Sequence, residues 1–559
     1  MNPNALTGRF SKGLRLCLGA TFTLGLVLSA RVALGVSPTW IVPAATYTVD
    51  RTDDISFASM CTVASNDCSL RGAIIASNSA AGADVIIVPI GIYTLTITGT
   101  GEEFAATGDL DIRDDLIIDA TGRVTINGGG VDRVFHITGA YDVSLEGMTI
   151  SGGAATASDG GGVYNDGGAL TITYVTFSDN NSGSNGGGLF NTGTLTLTNG
   201  IFSGNSAVQA GGISNAGVMT IVSTTLSDNN ASHAGGINNS GLLTMTNSTL
   251  IGNAANSPVG VGGGLANNFG GIATISGATI SGNSAPVGGG LFNDGTGSTL
   301  TLLNSTVSGN TADASGGGVY NTATLNMNNV TLADNTADAD NTGGGDGGGI
   351  YNTLGTANLK NTLLAVNIDV SGQAPDCSGT LTSQGYNLLG NNTGCTFSSI
   401  TGDQVGTGAV PIDPLLGPLQ DNSGPTETQA LLAGSPAIDS GNPTGCTDGS
   451  GNTLTIDQHG FTRPTDGDGD GSSICDVGAY ETAASATPTP TSTFTSTPTH
   501  SATPTLTSTR PPTLTATATP TATATPTFTH TSSPATSATP TNTPAFTPSW
   551  SLFLPLIRR

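Results

Sequence analysis

Along the middle of the chain, apolar and polar residues alternate in short runs such as Thr194-Leu195-Thr196-Leu197-Thr198 and Leu243-Thr244-Met245-Thr246. A period of two sends one side chain into a core and the next into solvent, so each run predicts a short strand buried on one face. Two recurring phrases frame the runs. The first, Gly-Gly-[Val/Ile/Leu]-x-Asn, occurs eight times, ending at Asn165, Asn191, Asn215, Asn239, Asn267, Asn293, Asn321 and Asn352, with intervals of 26, 24, 24, 28, 26, 28 and 31 residues. The second is an apolar residue, two positions, then Asn, as in Phe177-Ser178-Asp179-Asn180, Phe202-Ser203-Gly204-Asn205 and Val307-Ser308-Gly309-Asn310.

A unit repeated at such a period cannot bury its own apolar face and must stack on its neighbours. Paired glycines permit sharp corners and let coils approach closely. Asn is the non-Gly residue that best tolerates left-handed backbone. Placed once per coil, its amide can bond to the amides above and below. Three short strands and three corners in about 25 residues make one coil, with coils ~4.8 Å apart and strands in parallel register. The expected fold is all-β, a right-handed parallel β-helix or pectin-lyase-like solenoid. Val85-Ile86-Ile87-Val88, Leu116-Ile117-Ile118 and Val143-Ser144-Leu145 extend it with less regular coils, for roughly 11 or 12 in all. The glycine density excludes a helical solenoid, and a propeller needs about 40 residues per blade.

The flanks divide the rest. Residues 1–35 read as a secretory signal: Arg9, Lys12 and Arg15 precede an apolar run from Leu16 to Ala30, and Ala33-Leu34-Gly35 supplies small residues for cleavage. An N-terminal cap is expected over 36–84, repeats over 85–370 and a C-terminal end with an added module over 371–482. Residues 483–550 are almost wholly Thr, Pro, Ser and Ala, a composition that buries no core and predicts a disordered stalk. Residues 551–559 form an apolar tag far too short to span a bilayer. Beyond the signal lie six cysteines, Cys61, Cys68, Cys377, Cys395, Cys446 and Cys475. An even count in an exported chain suggests disulfides. Proximity alone selects 61–68, 377–395 and 446–475 from about fifteen pairings, and free buried thiols are the alternative.

The paired phrases over about 160–367 resemble the repeats of polymorphic outer-membrane proteins, a group of bacterial surface passengers. Cys68-Ser69-Leu70-Arg71-Gly72-Ala73-Ile74 resembles the Cys-Ser-Leu-Arg-Glu-Ala-Ile motif that opens many bacterial secreted β-helices, with Gly72 in place of the usual Glu. Gly434-Ser435-Pro436-Ala437-Ile438-Asp439, Asp457-Gln458-His459-Gly460-Phe461-Thr462-Arg463-Pro464 and Cys475-Asp476-Val477-Gly478-Ala479-Tyr480-Glu481 are similar to the choice-of-anchor module, which closes such β-helices before a surface-attachment tail. These resemblances imply a surface or extracellular display protein and no defined catalytic site.

Charge narrows the chemistry. Only 9% of residues are charged, the net charge is −25, and no Lys or Arg lies between Arg133 and Lys360. The repeats therefore lack the cations that nucleic acid requires and the base and cations that a lyase acting on a uronate requires. Asp179, Asp228 and Asp334 share a repeat position otherwise held by Gly204, Gly252, Gly282 and Gly309, which is the pattern of a solvated corner. Asp166 and Asp294 share another register, directly after the repeat Asn. His233 reads as an exposed loop residue. Asp466-Gly467-Asp468-Gly469-Asp470-Gly471 matches the first half of a calcium loop, but its twelfth position is Val477 and the nearest acid is Asp476. Asp466, Asp468, Asp470 and Asp476 are thus the candidate ligands of a structural calcium ion, and an acidic turn is the alternative. The expectation is a non-enzymatic, adhesin-like protein of the cell surface or exterior, binding carbohydrate or a neighbouring surface. It has no nucleic-acid partner and no membrane span in the mature chain. The alternative is an enzyme degrading a neutral polysaccharide, for which convergent carboxylates would be needed.

Overall fold

The computed structural model describes residues 44–483 apart from 58–60, 63 and 449–450. The expected signal over 1–35, nearly all of the expected stalk over 483–550 and the expected tag over 551–559 lie outside the described residues.

The chain winds into a parallel β-helix. One complete coil runs through Val163–Asp166, Ala169–Thr173, Thr176–Ser178 and Asn181–Asn185. Each segment pairs in parallel with its counterpart one coil on: Val163 with Leu189, Ala169 with Thr194, Thr176 with Ile201 and Asn181 with Ser206. The second and third segments form one kinked face, and in later coils they run together as Thr299–Ser308 and Thr324–Ala333. The coil thus has three faces, called here the phrase face (Val163–Asp166 and its equivalents), the threonine face (Ala169–Ser178 and its equivalents) and the short face (Asn181–Asn185 and its equivalents). The short face is a nine-stranded sheet, and the other two are joined in a 32-stranded one.

The core follows from the alternation. Leu195, Leu197, Met219, Ile221, Leu243 and Met245 are fully buried, and Phe177 stacks on Phe202 of the next coil with ring centroids 4.3 Å apart. Polar ladders run beside this apolar stack. Asn165 donates from Nδ2 to Asn191 Oδ1 at 2.7 Å, and the same bond repeats through Asn215, Asn239, Asn267, Asn293 and Asn321 to Asn352. A second ladder joins the Asn residues of the other phrase: Asn180, Asn205, Asn229, Asn253, Asn283, Asn310, Asn335 and Asn367. It ends on Asp376 Oδ1, which accepts from Asn367 Nδ2 at 3.0 Å.

The backbone role expected of the first Asn set falls elsewhere. Asn165 to Asn352 lie in extended strands facing inward. Left-handed backbone occurs instead just before the second ladder, at Asp179 (φ 56°), Gly204 (66°) and Asp228 (55°), and at the kink of the threonine face, at Asn199 (53°), Asn247 (49°) and Asn361 (47°). A corner that leaves the side chain in solvent suits Asp or Gly, whereas an amide bonded on both sides needs strand geometry.

At the N-terminal end, Thr46–Thr48 pairs with Val85–Ile87 as the first rung. The helix Leu70–Ser77 packs its Leu70, Ala73 and Ile74 onto it and starts at Ser69, whose hydroxyl accepts from Gly72 N. Arg71 is fully buried against Asp54 and donates to the carbonyls of Ala105, Gly108 and Asp109. A Cβ on Gly72 would sit 3.1 Å from Ser69 Oγ and 3.2 Å from the Phe57 carbonyl, so the backbone packing here favours glycine. Cysteines 61 and 68, 377 and 395, and 446 and 475 are bonded as neighbours.

At the other end the solenoid runs on into residues 371–482. Coil pairing continues past residue 370 through Cys377–Ser383 and Cys395–Phe397 to Gln404–Val405. The module that follows lies along the side of the solenoid, on the threonine face, instead of closing its end. Gln458 binds Thr306 Oγ1, Thr279 Oγ1 and the Ala278 carbonyl. Arg463, paired with Glu481, reaches Asn304 Oδ1, and Asn361 donates to the Asp476 carbonyl. No helix among the described residues is long and apolar enough to cross a membrane.

Candidate functional site

Three places on this scaffold carry chemistry: the threonine face, an acidic corner near the N-terminal end, and the acidic turn of the C-terminal module.

On the threonine face the register stacks like on like. Thr171, Thr196, Thr220, Thr244, Thr274 and Thr301 form one outward row. Thr225, Thr249, Thr279, Thr306 and Thr331 form another. The module divides the second row. Thr279, Thr306 and Thr331 are at most 1% exposed beneath it, while Thr225 and Thr249 are partly open to solvent. The module holds on through the hydroxyls, since Thr306 donates to Gln458 Oε1 at 2.6 Å and Thr331 Oγ1 accepts from Ala479 N at 3.0 Å. Beside the first row Val218, Leu242 and Ile272 stack in register, each more than two-fifths exposed. An apolar stripe bordering hydroxyl rows is the usual composition of a contact surface.

The acidic corner sits where the phrase face begins. Leu110–Ile112 pairs with Phe135–Thr138, which sets Asp111 beside His136 on adjacent rungs. The loop before Leu110 adds Glu103 and Asp109, and the turn before Phe135 adds Asp132 and Arg133. His136 Nδ1 lies 3.3 Å from Asp111 Oδ1 and 3.4 Å from Glu103 Oε2. Asp109 is ion-paired with Arg133 Nε at 2.8 Å. Burial, reinforced by Asp111, nonetheless pushes Asp109 up to about 8, and burial also raises Asp132. Outward from this corner the rings of His136, Tyr164 and Phe190 stack along the phrase face at 4.9 and 5.2 Å. A like stack joins Phe292, Tyr320 and Tyr351 further on.

In the module, the structure brings Asp466 and Asp468 together with Asp439, one oxygen of each lying within 4.8 Å of the others. The carboxylates also serve the turn itself. Asp466 accepts from Gly469 N and Gly471 N, Asp468 from Asp470 N, and Asp470 from Ser472 N. Asp476 is fully buried, accepting from Asp439 N and Thr482 N, and burial followed by Glu481 pushes it up to about 7. Asp439 ends the motif Gly434–Asp439, but its place beside Asp466 is made by the fold. Asp179, Asp228 and Asp334 are exposed corner residues. Asp166 ends the strand Val163–Asp166 and is exposed, and Asp294 is bonded to Thr322. His233 closes the strand Asn230–His233 half-buried, paired with Gln209, and is not a loop residue.

Sequence reasoning missed the acidic corner. Asp111 and His136 are 25 positions apart, one coil, so the coil length was the signal that could have joined them.

No protein-family model matches the chain, and no curated protein does. Among solved structures it is similar to the crystal structure of pectate lyase Pel9A, at 13% identity and a TM-score of 0.38, over 79% of this chain and 98% of that one. It is also similar to a rhamnogalacturonan lyase, at 13% identity and a TM-score of 0.27, over 70% of this chain and 96% of that one.

Proposed function

We propose that the chain is a secreted, non-enzymatic display protein of adhesin type, which binds a neutral carbohydrate or a neighbouring surface through the open part of its threonine face. One observation carries the reading. The hydroxyl row that docks the protein's own module at Thr279, Thr306 and Thr331 continues uncovered at Thr225 and Thr249, on the face that also carries the exposed aliphatic stripe. Rows of hydroxyls at strand spacing offer donors and acceptors without charge, which suits polyhydroxyl ligands and surfaces. A glycan array probed with the full-length chain tests it. Binding to neutral glycans is expected, with loss in a Thr196→Lys, Thr244→Lys variant whose substitutions point outward. Absence of binding across neutral glycans, together with no adhesion to cells, overturns it.

Calcium at Asp439, Asp466 and Asp468 would brace the module, hard oxygen ligands suiting that ion. The expected sign is a higher Tm in calcium that Asp466→Asn removes.

A second reading is an enzyme acting on a neutral polysaccharide, favoured by the gathering of Glu103, Asp109, Asp111 and Asp132 at one corner, since a glycoside hydrolase needs convergent carboxylates. It predicts release of new reducing ends from a neutral glycan, abolished by Asp109→Asn. No release from any neutral glycan removes it.

A further inference from the structure

We propose that Glu103, Asp111 and His136 form a binding site for one divalent transition-metal ion of the zinc type. The three residues come from separate stretches, a loop and two adjacent rungs, and present one oxygen or nitrogen each within 4.8 Å of one another. The two spacings from the imidazole are the informative ones. His136 Nδ1 is 3.3 Å from Asp111 Oδ1 and 3.4 Å from Glu103 Oε2. Ligands about 2.1 Å from a tetrahedral centre stand about 3.4 Å from each other. Two of the edges of that tetrahedron are thus already set.

An independent observation comes from hydrogen bonding. Asp111 is fully buried, and its Oδ1, the atom facing His136, has no hydrogen-bond partner. A buried carboxylate oxygen without a partner is costly and needs a cation or donor. A proton on Nδ1 is a poor substitute, because one N–H would be shared between two carboxylates at 3.3 and 3.4 Å, both longer than the about 2.7–2.9 Å of a charge-assisted bond. The neighbouring guanidinium groups are engaged elsewhere, Arg133 with Asp109 and Arg71 with Asp54.

Asp111 and the plane of the His136 ring are held by their neighbours, while His136 Nε2 is buried without a hydrogen-bond partner. Asp111 Oδ2 accepts from Ala105 N at 2.8 Å, which fixes the carboxylate plane. The His136 ring is stacked on Tyr164, 6° from parallel. Glu103 is half-exposed and leaves an entry path from solvent. One imidazole and two carboxylates suit zinc and its first-row neighbours better than calcium, which prefers an all-oxygen shell of higher number.

The test is calorimetric titration of the chelator-stripped full-length chain with zinc chloride, with cobalt(II) as an absorbing probe. One zinc per chain is expected at this site. Glu103→Gln changes a surface carboxylate and spares the fold, and should weaken zinc by about tenfold or more. Asp111→Asn, checked by circular dichroism, should abolish binding, while Asp466→Asn in the distant acidic turn should leave it unchanged. Wild-type protein that takes up no zinc overturns the assignment. So does zinc affinity equal in wild type and Glu103→Gln, or a site that takes calcium in preference to zinc.

Discussion

Asp376 finishes a ladder of amides with a carboxylate, and that single change of atom has a pH consequence. Its Oδ1 accepts from both Asn367 N and Asn367 Nδ2, and Oδ2 accepts from Asn391 N. These bonds favour the anion, but burial outweighs them and pushes the carboxyl from 3.8 up to about 6. Between those two values the folded chain keeps a proton that the unfolded chain has released. Stability therefore falls as pH rises through this window and is flat above it, by on the order of 3 kcal/mol from this group. Urea midpoints measured from pH 4 to pH 7 should decline for the wild type and decline less for Asp376→Asn. Two neighbouring residues further back separate ladder from corner. Asn229 accepts from Asn205 N and Nδ2 and donates to Asn253 Oδ1 and the Phe202 carbonyl. Asn229→Ala strands several buried groups and should cost about 3–5 kcal/mol in urea unfolding. Asp228→Gly, one residue earlier at φ 55°, should change stability by less than about 0.5 kcal/mol. The chain's text made the ladder readable, since the same amide recurs once per coil. It did not reveal which Asn holds the left-handed turn, because that depends on whether the side chain faces the core.

At the scale of elements, strands were legible and packing between distant elements was not. The run Thr194–Thr198 announces its own buried face, and its partners one coil away follow from the period. The acidic corner and the mounting of the module are different in kind. Gln458 donates to a carbonyl 180 positions away and Arg463 to an amide oxygen 159 away, with no periodicity linking them. Gln458 is the centre of that contact, bonded also to Thr426 Oγ1 and the Glu427 carbonyl. Gln458→Ala leaves these buried partners unpaired and should loosen the module without unwinding the coils, whose ladders lie inside. Hydrogen exchange would show it. Amides of 456–481 should exchange at least about tenfold faster in the variant, while those of Leu195 to Leu250 keep their protection. Uniform acceleration along the whole chain would instead mean that module and solenoid unfold as one unit.

For the molecule as a whole, stability in a stacked coil is close to a sum of coil and interface terms, so the register of the repeat should matter more than its number. Residues 216–239 span one interval of 24. Removing them joins Asn215 to Ser240 and carries both ladders across the join, with Asn215 meeting Asn267 and Asn205 meeting Asn253. The threonine rows close in the same way, Thr196 then standing next to Thr244. Every strand therefore finds a parallel neighbour with its apolar residues still inward. Removing only 216–227 takes out half a coil and turns the next segments onto the wrong faces, which places the polar side of one strand against the apolar side of another. The full-coil deletion should fold with the same circular dichroism per residue and a single unfolding transition a few degrees lower. The half-coil deletion should aggregate or unfold. Equal behaviour of the two would mean that the coils are not the independent, stackable units on which both the ladders and the open threonine face depend.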